Sequence, residues 1–217
     1  MPIYGHHNLV PMEIPAFFTS FRDDQMVVSD GRFSKGTVKE GTRFAEYSKT
    51  VYDASKSEGR PAVVIDCNSL IAQDFSEKVM KHMRIQSTEL WLMTCIRTVD
   101  DVFDAFNKDA EFVLSPYHYI ESDAELKDIC EVSDKVVPVI YVRDGKAILR
   151  KGRKADVLEV LEKLVRIGFY RNCILDPDET LDGYSWSIVS ADYPSTLPFM
   201  DSQGPDGFQN IIRPYLL

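Results

Sequence analysis

The chain has 217 residues, 44% of them hydrophobic and 27% charged, a globular balance that excludes a disordered, collagen-like or disulfide-scaffold protein. Its net charge of −9 argues against a nucleic-acid partner, whose phosphates call for a basic face. Apolar runs such as Val63 to Ile65 are far too short to span a bilayer, so no membrane partner is expected.

From the N-terminus, Ile14 to Thr19 reads as a strand, and Met26 to Val28 as a second after the turn at Arg22-Asp23-Asp24-Gln25. Thr42 to Ser57 reads as a helix with Phe44, Tyr47, Val51 and Tyr52 on one stripe, stopped by Gly59-Arg60-Pro61. Ala62 to Ile65 is a continuous apolar run, the mark of a strand buried on both faces. Asp74 and Glu77 resemble a capping box before Phe75, Val79, Met80 and Met83. Leu90 to Met93 is the next strand. A helix opened by Thr98 and Asp101 follows, with Val99, Val102, Phe103 and Phe106 inward. Phe112 to Leu114 is a strand, and Ser122 with Glu125 form a second capping box ahead of Leu126, Ile129 and Cys130. Val136 to Val142 is a strand. Ala155 to Ile167 carries the clearest helical stripe and Gly168 ends it. Cys173 to Leu175 is a strand.

Beyond Asp176 the rhythm falters. Residues 176–196 show no helical stripe of normal length. Leu197 to Met200 reads as one more strand, and Gly207 to Arg213 as a short last helix.

Strands alternating with helices predict an α/β fold with a parallel sheet and crossover helices. No dinucleotide or Walker motif favours an open sheet. The expectation is a TIM-type (βα) barrel in one domain over 1–217, short of one βα unit or otherwise incomplete at its C-terminal end. Residues 184–217 then form an irregular, aromatic-rich tail. Such a gap leaves a sheet edge to cover, so a homodimer is expected.

Cys67, Cys95, Cys130 and Cys173 include no C-x-x-C pair, which fits a reducing compartment rather than zinc or redox motifs. The first residues lack a basic region followed by an apolar stretch, so a cytoplasmic location is expected. His6-His7 reads as plain surface or an adventitious metal pair, and neither a metal nor a cofactor is expected.

Three segments resemble the histidine-biosynthesis barrel family of phosphoribosylformimino-aminoimidazole carboxamide ribonucleotide isomerase and the imidazole glycerol phosphate synthase cyclase subunit. Ile14-Pro15-Ala16-Phe17-Phe18 with Arg22 to Val28 resembles the family's "IPAID…RDGKVV" opening. Cys95 to Val102 with Ala110 to Leu114 resembles "GGGIRTLEDV…A-x-x-VILGT". Val142 to Ala147 resembles the hairpin after the fifth strand. Asp66 stands where the family has "VVDLD", and Thr180 to Gly183 resembles its loop after the sixth strand. The likeness covers residues 12–183 and implies a barrel.

The departures bear on chemistry. The family's isomerisation uses one carboxylate at the end of the first strand and another at the end of the fifth. This chain has Phe18 and Tyr141 there, or Ser20 on a two-residue slip. Met93-Thr94-Cys95 replaces the phosphate-gripping glycines, and Ser115-Pro116 replaces Gly-Thr, where Pro116 offers no N–H.

Asp66, Asp176 and Asp201 follow strands and would face the mouth of a barrel, as acid–base groups or as caps of their own loops. Asp66 and Asp176 are the catalytic candidates. Arg97, Ser115, Arg143 and Asp201 are the substrate-binding ones, with Arg97 equally suited to pairing with Asp66 or Asp100. Cys67 and Cys95, with His118 as base, are either nucleophiles or buried fillers. The basic run Arg150 to Lys154 reads as a solvated turn or a phosphate patch. Tyr184, Trp186 and Tyr193 read as cover for the barrel or as a pocket lining. Two functions remain open: a barrel that has lost the parent catalysis and serves as a binding or assembly subunit, or a diverged isomerase or lyase acting on a small phosphorylated or carboxylated metabolite.

Overall fold

The structure is a computed structural model that describes residues 11–56, 59–108, 110–202 and 204–217. The His6-His7 pair lies outside them. The strands are β1 (Met12–Arg22), β2 (Ala62–Asp66), β3 (Leu90–Met93), β4 (Phe112–Pro116), β5 (Val136–Arg143), β6 (Asn172–Leu175), β7 (Thr196–Phe199) and β8 (Asn210–Pro214). They are parallel and pair in chain order, and β8 returns to β1 through pairs running from Met12↔Asn210 to Ala16↔Pro214. The result is a closed eight-stranded TIM-type barrel, with no helix among the described residues long and apolar enough to cross a membrane.

The sheet is therefore not short of a strand. The segment expected to form a last helix is β8, because Ile211 and Ile212 are β-branched and fully buried, and a strand sends them to opposite sides of the sheet. Ile212 pairs with Ile14 and joins the lumen cluster. What this end of the barrel lacks is a crossover helix, since no described residue between β7 and β8 is helical. The two strands meet at one register pair, Phe199↔Ile212, and a Met200 N–H to Ile212 carbonyl bond of 3.2 Å. Closure removes the open edge from which a homodimer was expected. The tail folds on its own barrel: Phe208 sits edge-on to Trp186 at 5.7 Å, and Tyr215 packs on Phe17 at 4.7 Å.

Seven helices lie among the described residues: α1 (Tyr47–Lys56), α2 (Cys67–Ala72), α3 (Glu77–Met80), α4 (Val99–Phe106), α5 (Asp123–Val132), α6 (Val157–Ile167) and α7 (Gly183–Asp192). Helix α1 begins five residues later than expected because Phe44–Glu46 is a strand paired with Gln25–Ser29, which leaves Phe44 exposed. Ser76, not Asp74, caps α3, and α2 was not anticipated. Thr98 and Asp101 do form the capping box of α4, but Phe103 is 51% exposed and the buried face is Val102 and Ala105. Ser122 caps α5, while the Glu125 carboxylate turns away to accept from the Val99 N–H. The α6 stripe buries Val157, Val160, Leu161 and Leu164, and Gly168 (φ 128°) closes the helix. In the segment expected to lack a helix, Asp182 caps α7.

Strands β1 and β5 both overrun the barrel into hairpins. Each turn places two residues at positive φ: Asp23 and Asp24 in the first, Asp144 and Gly145 in the second. A third hairpin, Arg32–Ser34 with Thr37–Lys39, forms a sheet of its own.

Candidate functional site

Barrel enzymes work at the C-terminal ends of their strands. Here alternate residues of each strand point into the lumen, and Phe18 of β1, Tyr141 of β5 and Phe199 of β7 are its topmost aromatic side chains, all buried. The third hairpin lies across them. Its Phe33 ring centre is 5.2 Å from Phe18, 5.4 Å from Phe199 and 6.2 Å from Tyr141, spacings typical of tilted and edge-to-face pairs. Val38, its cross-strand partner, is buried in the same cluster. Phe33 thus stands between the two positions where the resembled family carries its carboxylates.

The hairpin sits this low because Gly31 at its root has no side chain. A Cβ there would meet the Phe18 Cβ and Cγ at 2.8 Å. Its tip, Lys35-Gly36, takes positive φ at both residues (52° and 85°), the two-residue turn that suits strand twist. The sequence carries a signal for this hairpin: Phe33 and Val38 flank Ser34-Lys35-Gly36-Thr37, an apolar pair around an Xaa-Gly turn.

Beneath the tip remains a void of about 10 Å³ that His118 and Tyr141 help to line. The Ser115 hydroxyl is buried with no partner among the described residues, and the Tyr141 hydroxyl and both His118 ring nitrogens have only the Gly36 backbone of the hairpin tip near them, short of good hydrogen-bond geometry. Burial pushes the His118 imidazole down to about 4, with the nearby Gly36 backbone pulling the other way, and raises the Tyr141 phenol. On the other side of Phe33 lies a cleft of about 660 Å³ between β6, β7, β8 and β1, bordered by Arg32, Asp178, Asp201 and Arg213.

Asp66 and Asp176 end strands on opposite sides of the ring, and each is engaged by its own loop. The Ser69 N–H donates to Asp66 Oδ1 (3.1 Å) and the Thr94 hydroxyl to Oδ2 (3.1 Å), while the Thr94 and Ser69 hydroxyls share a hydrogen bond of 2.6 Å. This knits the ends of β2 and β3. Burial raises the Asp66 carboxyl to about 6, against the hydrogen bonds from Ser69 and Thr94. Asp176 accepts from the Thr180 N–H (2.9 Å), the Thr180 hydroxyl (3.2 Å) and the Leu181 N–H (2.8 Å). Both carboxylates act as loop caps, and their placement does not bring them together as a pair.

Arg97 turns to the surface and pairs with Glu121 (2.6 Å) and Asp74 (3.5 Å), rather than with Asp66 or Asp100. Arg143 is half-exposed at the end of β5, with Asp144 at 3.8 Å. Asp201 is exposed at the cleft, and its carboxyl is raised by partial burial and by Glu179 and Asp178. Burial raises the Cys67 thiol strongly and the Cys95 thiol to about 12, so both stay protonated and fill space. In the basic run, Arg150 pairs with Asp123 and Lys154 with Asp144, both at 2.6 Å. Tyr184 is exposed, and Trp186 is buried.

No protein-family model matches the chain, and no curated protein matches it.

Proposed function

We propose that this chain is a barrel protein of the histidine-biosynthesis isomerase type that has lost the parent catalysis and serves as a non-catalytic binding or assembly subunit. The observation that carries this reading is the aromatic cluster of Phe18, Phe33, Tyr141 and Phe199 at the mouth. Aldose–ketose isomerisation moves protons between carbon and oxygen atoms of an opened sugar, which requires groups that exchange protons near neutral pH and water-accessible room for the substrate. Phenylalanine offers no such proton, the phenol of Tyr141 is pushed further from neutrality by burial, and the room is filled by Phe33.

The cleft beside the plug favours the second reading, an isomerase or lyase acting on a small phosphorylated or carboxylated metabolite. Arg32 there is suited to an anionic group, while Arg213 already pairs with Glu13 at 3.1 Å. One assay tests the first reading. The purified protein is expected to leave the parent ribonucleotide unchanged over hours at micromolar enzyme. Turnover at an enzyme-like rate would overturn the non-catalytic reading.

A further inference from the structure

Phe33 is the wall between two spaces. The cleft of about 660 Å³ reaches Phe18, Phe33, Leu175 and Phe199. The void of about 10 Å³ reaches Phe33, Leu175, His118 and Tyr141 from the other side. The void holds one water at most, yet three polar atoms on its lining side chains, the Tyr141 hydroxyl and both His118 nitrogens, are buried with only the Gly36 backbone of the hairpin tip beside them and no hydrogen bond of good geometry among the described residues. Buried polar groups left unpaired cost free energy that a bound partner recovers.

We propose that the Phe33 ring is a resident stand-in for a ligand. When the hairpin lifts, cleft and void merge into one site for a small uncharged aromatic compound bearing a hydroxyl or ring N–H. Phe18, Tyr141 and Phe199 pack around its ring, tilted or edge-on, and His118 and Tyr141 take its polar group. This rests on the non-catalytic reading above and names what such a barrel binds.

The geometry supports each part. The three rings already box an aromatic ring, edge-on from Phe199 (89°) and Tyr141 (73°). The ladder of the hairpin is internal, Arg32↔Lys39 to Ser34↔Thr37, and belongs to a sheet separate from the barrel. The ties at its root, Asp30 N–H to the Arg43 carbonyl and Gly41 N–H to the Ser29 hydroxyl, lie outside that span. Lifting it breaks no barrel ladder bond; what it gives up are the contacts of Gly36 with His118 and Tyr141 and of Thr37 with Tyr119, while Glu40, bonded to Ser20 and Arg22 of β1, stays at the root. A neutral imidazole presents one acceptor and one donor, which matches a hydroxyl. A charged ligand finds no counter-ion among the side chains that line the void.

Calorimetric titration of Phe33→Ala with phenol, indole and benzene tests this. Phenol and indole are expected to bind the variant about ten-fold or more tightly than the wild type, where Phe33 competes. Adding His118→Ala and Tyr141→Phe is expected to weaken phenol by about ten-fold and leave benzene unchanged, the worth of hydrogen bonds to neutral groups. A folded Phe33→Ala protein that binds phenol no better than wild type overturns the proposal, as does equal weakening of phenol and benzene. Phe33→Leu keeps an apolar side chain and serves if the alanine variant does not fold; it is expected to show a smaller gain, and no gain overturns the proposal. Turnover of the parent ribonucleotide with phenol binding intact would strike the non-catalytic reading alone. Absent binding without turnover would strike this inference alone.

Discussion

The two sides of the barrel mouth are made of opposite materials. Over β2 to β5 the hairpin seals the rim with apolar groups, and the His118 nitrogens and the Tyr141 hydroxyl caught beneath it make no hydrogen bond of good geometry among the described residues. From β6 round to β1 the rim is a cleft bordered by charged side chains, Arg32, Asp178, Asp201 and Arg213. One short strand serves both sides: Phe33 turns down into the lumen, while its neighbour Arg32 faces the cleft. Successive residues of a strand point to opposite faces, so a single hairpin closes one side of the mouth and furnishes the other. A hairpin can thus fill part of a barrel mouth while the eight strands and their order stay intact.

The most forceful way to break this contrast is to place a carboxylate where the resembled family has one. Phe18 is buried against Phe33, and a charge there would have no counter-ion in the aromatic cluster. Phe18→Asp is expected to destabilise the protein by more than about 4 kcal/mol in urea denaturation, the scale of an unpaired buried charge. A loss below about 1 kcal/mol would mean that this side of the mouth is wet and the seal is loose.

A second measurement sharpens the contrast through pH. Asp66 is fully buried on the sealed side, with its carboxyl raised from 3.8 to about 6 by burial. The folded protein therefore holds a proton there that the unfolded chain has released. Its contribution to stability is fully present below about pH 4 and is lost as pH rises through about 6. Two pKa units correspond to about 3 kcal/mol. Asp66→Asn cannot titrate, so the stability of wild type relative to the variant should fall by about that amount between pH 4 and pH 7. A difference that does not change with pH would place Asp66 in contact with solvent.

How far the sequence reveals all this depends on where the packing information lies. Strands β2, β3 and β6 are short apolar runs buried on both faces, and α6 has a continuous stripe, so each is legible from local pattern. Helix α7 is not, because only Trp186 and Val189 are buried along it and no stripe forms. Strand β8 is two isoleucines flanked by polar residues, and only closure against Ile14 decides that it is extended. The positions of Asp66 and Asp176 at the mouth follow from strand order. Their occupation by Ser69, Thr94, Thr180 and Leu181 does not, since those partners are set by loop conformation. The role of Phe33 has no local signature, because it comes from three rings on distant strands.

The smallest effect is expected on the open side. Asp201 is exposed at the cleft, and its carboxyl is raised by partial burial and by repulsion from Glu179 and Asp178. Like Asp66 it binds its proton more readily in the folded state, so its ionisation opposes folding as pH rises through its raised value. Here, however, water screens the charge, and no described side chain donates a hydrogen bond that depends on it. Asp201→Asn should therefore change stability at pH 7 by no more than about 0.5 kcal/mol, and any change should be a gain, because the substitution removes a like charge. Urea denaturation at pH 7 and pH 4 is the measurement, and the gain should vanish at the lower pH as the neighbouring carboxylates take up protons. A loss above about 1 kcal/mol would show that the charged border of the cleft holds its loops together, and the division into a packed side and a solvated side would fail.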